Sequence, residues 1–98
     1  MTKKKNNRYK IQLQEIELKD GTQSGKSVEF EFENHDNILQ ILEHAKDKEW
    51  FKDKSQNIEF IVGLKLFSEV LLKNRKNSLF EEFTPAFVEL MKKIKSKN

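Results

Sequence analysis

Apolar and polar residues alternate along the first part of the chain, which is the pattern of a β-strand with one buried face. The first such segment is residues 9–18, and its apolar positions shift by one residue after Gln14. Because that shift would send the following side chains to the opposite face, we predict a β-bulge near Gln14 and Glu15. The apolar residues of this segment are Tyr9, Ile11, Leu13, Ile16 and Leu18.

A second strand is predicted between Val28 and Glu33, where apolar residues alternate with glutamates. The loop before it contains Gly21 and Gly25, so the two strands are predicted to pair as a hairpin. A two-stranded hairpin alone is only marginally stable in water. We therefore expect its apolar face to pack on the central helix of the chain. That face consists of Val28, Phe30 and Phe32.

From residue 34 onwards the apolar period changes to three or four residues, which is the period of a helix. Asn34 or Asp36 can cap a first helix that ends near Lys46. The polar connection that follows contains Trp50 and Phe51. We expect these two aromatic side chains to anchor the connection to the core.

The central helix is predicted over residues 56–73 and is apolar around more than half of its circumference. Its predicted core face consists of Phe60, Ile61, Gly63, Leu64, Phe67, Val70, Leu71 and Leu72. Val62 and Leu66 lie beside its polar ridge of Lys65, Glu69 and Lys73. Two apolar residues do not belong on a solvated face, so either another element or a second subunit must cover them. Val62 and Leu66 are therefore the candidate interface residues.

A last helix is predicted to start at a capping box in which Ser78 is the cap and Glu81 reaches back. Its apolar residues keep one phase up to Ile94, which favours a single helix bent at Pro85. The alternative is a short helix followed by a second helix that Thr84 caps.

These elements predict an α+β fold in the order ββααα, with an N-terminal antiparallel hairpin packed on three helices. Residues 1–8 are predicted to be a basic tail, residues 9–95 a single domain, and residues 96–98 a C-terminal tail. At 98 residues the chain is long enough for one domain and too short for two.

The segments Phe32–Ile38, Gly63–Lys76 and Leu79–Phe87 resemble a family of small uncharacterised bacterial proteins, a domain of unknown function. The sequences GLKLFSEVLLKNRK and LFEEFTPAF carry the resemblance. It implies a bacterial origin and a hairpin-plus-helices fold. It implies no activity, ligand or partner.

Charge is divided unevenly along the chain. Residues 11–91 hold ten positive and all sixteen negative charges, whereas the remaining nine positive charges lie at the two ends. A nucleic-acid binder usually carries its basic residues on the folded surface, so specific nucleic-acid binding is not expected. The chain has no cysteine and no apolar segment of membrane-spanning length. We expect a cytoplasmic protein without membrane association.

No combination of residues points to catalysis, a cofactor or a metal. His35 and His44 have no third ligand at a recognisable spacing, and the strand glutamates are expected to form a solvated face. The exposed polar cluster of Lys73, Asn74, Arg75 and Lys76 is a candidate contact for an anion or an acidic partner. The end of a helix explains the same residues, because cations and asparagines are common there.

The apolar excess and the free hairpin edges favour a non-enzymatic interaction module that forms a homodimer, which can also pair those edges. Its protein partner is not identified by the sequence. One alternative is weak, non-specific binding of nucleic acid or anions through the lysine-rich termini. The other is a small ligand-binding domain with a pocket between hairpin and helices.

Overall fold

The computed structural model describes residues 6–96, and within them two strands precede four helices. The strands are β1 (Asn7–Gln14) and β2 (Ser27–Asn34). The helices are α1 (Ile38–Ala45), α2 (Ser55–Lys73), α3 (Ser78–Glu81) and α4 (Thr84–Ser96). The predicted α+β class, a hairpin followed by helices, is confirmed, and the number of helices is four instead of three.

The chain divides between Asn37 and Ile38 into two compact units, a hairpin unit and a helical unit. The predicted single domain over residues 9–95 stays a prediction. β1 begins at Asn7, so the last two residues of the predicted N-terminal tail belong to a strand. α4 extends to Ser96, the first residue of the predicted C-terminal tail. Lys3, Lys4, Lys5 and Lys97 lie outside the described residues.

The hairpin is antiparallel, and its register runs without interruption from Asn7 opposite Asn34 to Gln14 opposite Ser27. The predicted bulge is therefore wrong. The apolar phase shifts where the strand ends, and a chain that has left the strand need not keep its side chains on one face. The amide of Glu15 makes one further bond across the hairpin, to the carbonyl of Lys26 at 2.8 Å.

Three side chains fix the turn that follows β2. Asn34, which is 1% exposed, accepts a hydrogen bond from the amide of Asp36 at 2.9 Å. The side chains of Asn7 and Tyr9 donate to the carbonyl of Asp36 at 3.1 and 2.8 Å. α1 begins at Ile38, so the Asn34 bond shapes the turn before the helix. β1 thus holds the exit from β2 in place.

The core of the helical unit comes from α1, α2 and α4. Its buried members are Ala45, Ile61, Leu64, Leu71 and Phe87. Trp50 and Phe51, in the connection between α1 and α2, set their rings edge-on to Phe60, with centroids 5.8 and 5.4 Å away. These contacts confirm that the two aromatic residues anchor the connection to α2.

The predicted core face of α2 is wider than the one that the structure buries. Phe67 is 40% exposed, Val70 52% and Leu72 46%, so their predicted burial is wrong within one chain. Gly63 is also exposed, and a methyl group there would meet no atom within 4 Å. Buried positions of α2 keep to the narrower stripe that contains Ile61, Leu64 and Leu71.

Two helices replace the predicted bent helix, so the two-helix alternative was right, although Thr84 is the first residue of α4 and not the cap before it. The cap of α3 is Asn77, whose side chain accepts from the amide of Leu79 at 2.9 Å, and the predicted Ser78 cap is wrong. Pro85 has no amide hydrogen to continue the α3 ladder. The hydroxyl of Thr84 instead donates to the carbonyl of Phe80 at 2.9 Å, which links the end of α3 to the start of α4.

A buried asparagine ties the start of α2 to the end of α1. Asn57 is 0% exposed, and its side-chain amide donates to the carbonyls of Ala45 at 2.9 Å and Lys48 at 2.7 Å. These carbonyls lie at and beyond the last turn of α1, where a helix leaves acceptors unpaired. Among the described residues, the side-chain oxygen of Asn57 and the indole nitrogen of Trp50 are buried without a hydrogen-bond partner.

Candidate functional site

The two faces of the hairpin differ sharply in chemistry. Three cross-strand pairs form the apolar face: Tyr9 with Phe32, Ile11 with Phe30, and Leu13 with Val28. Exposure rises along this face towards the loop. Phe32 is half-buried, whereas Phe30 is 44%, Val28 53% and Leu13 68% exposed. The prediction that this face packs on the central helix stays a prediction.

The exposed apolar residues continue from the strand ends into the loop. Ile16 is 75% exposed and Leu18 is 47% exposed. We call the set of Leu13, Ile16, Leu18, Val28 and Phe30 the hairpin patch. A shallow depression of about 420 Å³ lies within this region. Its lining combines apolar side chains with a polar border, namely Leu13, Gln14, Glu15, Leu18, Lys26, Ser27 and Val28.

Hydrogen bonds inside the loop hold the hairpin patch in shape. The carboxylate of Glu15 accepts from the hydroxyl of Ser24 at 2.6 Å and from its amide at 2.7 Å. These two bonds, the hydroxyl first, lower the pKa of Glu15 below its ordinary value. The amide of Leu18 donates to the carbonyl of Thr22 at 2.9 Å. Gly21 and Gly25 have φ values of 90° and 74°, which favour glycine.

The opposite face of the hairpin is charged and paired. Arg8 contacts Glu31 at 2.6 Å and Lys10 contacts Glu29 at 3.7 Å, each pair joining the two strands. The glutamates of β2 therefore form a solvated face, as predicted, with basic residues of β1 beside them. All four side chains are more than half exposed, so these pairs contribute little stability.

The candidate interface residues on α2 are less accessible than the hairpin patch. Val62 and Leu66 are each half-buried. Their role in an interface stays a prediction. The large apolar side chains of α2 that are exposed are Ile58, Phe67, Val70 and Leu72.

The polar cluster after α2 has the structure expected of a helix end. Asn74 follows the last residue of α2, and its side chain donates to the carbonyl of Val70 at 2.8 Å. Its carbonyl accepts from the amide of Asn77 at 2.9 Å. Lys73, Arg75 and Lys76 are exposed around this turn. The geometry thus gives the asparagine a structural role, and anion contact by the cations stays a prediction.

Neither histidine belongs to a metal centre in the described part of the chain. The Nε2 atom of His35 lies 3.5 Å from a carboxylate oxygen of Asp36, and His44 is exposed in the last turn of α1. Across residues 6–96, no group of three histidine, aspartate or glutamate side chains is placed to hold an ion.

A second shallow cleft lies in the helical unit and has a volume of about 250 Å³. The side chains of Phe51, Phe60 and Leu90 contribute to its walls, together with Glu49 and Lys93. The indole nitrogen of Trp50 is buried, so a molecule in the cleft cannot reach it without a rearrangement.

Comparison with known proteins identifies the family. Residues 7–96 match the family described as a domain of unknown function with a solved structure (DUF3861). The chain belongs to this family. The match spans both compact units, so the hairpin is part of the family's fold as much as the helices are.

The fold of this family member is similar to a crystal structure of a protein of unknown function from Pectobacterium atrosepticum. The two chains are 34% identical, with a TM-score of 0.80, over 93% of this chain and 98% of the other. No curated protein matches the chain. In the described residues, every helix is too short or too polar to cross a membrane.

The hairpin patch is the site that sequence reasoning missed. Periodicity correctly assigned Leu13, Val28 and Phe30 to one face, but it carries no information on what covers that face. Ile16 and Leu18 were assigned to a strand that ends before them. One sequence feature could have indicated the patch. Its apolar residues lie on both sides of a polar loop that contains two glycines.

Proposed function

We propose that this chain is a small, non-enzymatic protein-interaction module of the cytoplasm, and that the hairpin patch is its contact surface. The observation that supports this proposal is the exposure of five large apolar side chains in the hairpin unit, three of which (Leu13, Leu18 and Val28) line one depression. Soluble proteins rarely leave such side chains together in water unless they bind something. Two hydrogen bonds from Ser24 to the Glu15 carboxylate join the two sides of the loop beside them.

The shape of the patch favours a protein partner over a small molecule. Its depression is open and shallow, and its walls are mostly apolar, with Glu15 and Lys26 among the lining residues. Small-molecule sites are usually concave and enclose the greater part of their ligand. A broad apolar surface with a polar border is typical of the core and rim of a protein interface.

Site-specific photo-crosslinking tests the contact surface. A photoreactive phenylalanine analogue replaces Phe30 in the patch, and in a matched variant it replaces Glu31, the next residue on the opposite face. We expect adducts of defined mass from position 30 and few from position 31. Adding Leu13→Glu should abolish the position 30 adducts. Equal yields from both positions, or no adduct at position 30, would overturn the proposal.

A further inference from the structure

We infer that the occupant of the hairpin patch is a second copy of this chain, packed with its own patch face to face. This inference rests on the proposed function, since it names the partner of that surface. The other arrangement open to two hairpins is pairing along the strand edges, and the charges of β1 and β2 distinguish the two.

The size of the patch fits a small dimer interface. Its five side chains are 44–75% exposed, which corresponds to roughly 500–600 Å² of apolar surface on one copy. Two copies would bury roughly 1,000–1,200 Å², at the lower limit of specific interfaces. We therefore expect a reversible dimer with a Kd on the order of micromolar.

The charges along the strands oppose symmetric pairing of two β2 edges, and of two β1 edges in the register centred on Lys10. If two β2 strands paired antiparallel around Glu31, the second copy would place Glu31 opposite Glu31 and Glu29 opposite Glu33. If two β1 strands paired around Lys10, two lysines would be opposed, whereas pairing around Ile11 or Gln12 opposes no like charges. Like charges directly across strands are destabilising. Edge pairing of β1 with β2 would match the charges, but this contact is heterologous and gives a ring or a filament instead of a symmetric dimer.

Face-to-face packing avoids these repulsions, because the charged sides of both hairpins then point away from each other. The polar border of the patch is also self-complementary. Glu15 and Lys26 flank the depression, and a twofold axis through the patch can bring the glutamate of one copy to the lysine of the other. An apolar centre with such a border matches a twofold interface.

Sedimentation equilibrium on the full chain from 1 to 500 µM tests the inference, with the variants Leu13→Glu and Gln12→Glu as a matched pair. The two positions are adjacent on β1 and face opposite sides, and both substitutions add one negative charge. We expect Leu13→Glu to weaken the dimer at least tenfold and Gln12→Glu to change Kd less than threefold. Circular dichroism verifies that both variants remain folded.

Further outcomes separate the arrangements. A wild-type monomer at 500 µM would overturn the inference, and position 30 adducts with a different protein would leave the proposed function standing. If Leu13→Glu left the dimer Kd unchanged but the double variant Val62→Glu with Leu66→Glu abolished the dimer, the interface would lie on α2. That result would overturn the inference. Tighter association in Glu33→Gln would indicate edge pairing, which also overturns it.

Discussion

Asn57 illustrates how much one buried polar side chain can contribute to a small core. Its amide group donates to carbonyls at the end of α1, while its backbone lies in the first turn of α2. Leaving buried carbonyls unpaired costs about 1–3 kcal/mol for each group. The side chain therefore acts as a polar link between the end of α1 and the start of α2.

We predict that Asn57→Asp destabilises the helical unit by about 3–5 kcal/mol at pH 7, because a buried carboxylate would face carbonyl oxygens. Burial should raise the pKa of the new carboxyl above that of an unfolded aspartate, about 3.9. A raised pKa makes the folded state retain its proton longer, so stability falls as pH rises through about 4 towards the folded pKa. Urea unfolding followed by Trp50 fluorescence at several pH values measures this effect.

Asn74→Asp is the control, because Asn74 also donates to a carbonyl but is exposed. We expect a loss of about 1 kcal/mol or less, from a negative charge at a helix end. If both variants lost equal stability, or if the Asn57→Asp loss were independent of pH, the role given to Asn57 would be wrong.

The Glu15 carboxylate provides a second prediction at this scale. Two bonds from Ser24 lower the pKa of Glu15 in the folded state. The resulting stabilisation is complete above the unfolded pKa of glutamate and is lost as pH falls through the folded pKa. We expect an NMR titration of the Glu15 carboxyl to show a midpoint below the ordinary value, and Ser24→Ala to raise that midpoint. An unchanged midpoint in Ser24→Ala would contradict the contact.

At the scale of elements, four phenylalanine rings join α2, α3 and α4. Phe67 lies at their centre, with its ring centroid 5.9 Å from Phe80, 5.8 Å from Phe83 and 6.2 Å from Phe87. Tilted and edge-on rings at these distances attract each other beyond the burial of their surface. The cluster compensates for the partial exposure of Phe67 and holds the short helix α3 in place.

We predict that Phe67→Ala destabilises the helical unit by about 2–3 kcal/mol, below the 3–5 kcal/mol typical of a fully buried aromatic residue. Leu79→Ala, at a side chain in α3 that is 77% exposed, should cost about 0.5 kcal/mol or less. Denaturant unfolding of both variants measures the difference. A Phe67→Ala loss no larger than that of Leu79→Ala would show that the ring cluster does not stabilise the fold.

The spacing of apolar residues alone predicted whether each long element is a strand or a helix. It failed at turns and helix ends, where local hydrogen bonds decide the structure. The phase of the apolar residues continues through Pro85, so periodicity could not reveal that Thr84 and Phe80 close a turn there. Asn77 and Ser78 are both good caps, and only the geometry selects the asparagine. The hairpin patch escaped prediction because alternation defines a face without showing whether that face is covered.

At the scale of the whole molecule, the separation of charge predicts how the protein meets nucleic acid. Arg8 and Lys10 of β1 contact glutamates of β2. The chain between residues 11 and 91 has a net charge of −6. We expect any binding to duplex DNA to occur at low salt only, without sequence preference, and to disappear near 150 mM salt. Fluorescence anisotropy with two unrelated duplexes measures it. Sequence-specific binding at about 150 mM salt would favour the nucleic-acid alternative instead.

Gly63 lies inside α2 with open space around it, so the helix could hold a more stabilising residue at this position. A glycine inside a helix costs about 0.5–1 kcal/mol relative to alanine, because it gives the unfolded chain more freedom. Nothing within 4 Å would obstruct the added methyl group, so Gly63→Ala should raise the thermal midpoint by several degrees. Adding a single methyl group at the middle of α2 is thus a practical first step towards a more thermostable variant of this protein.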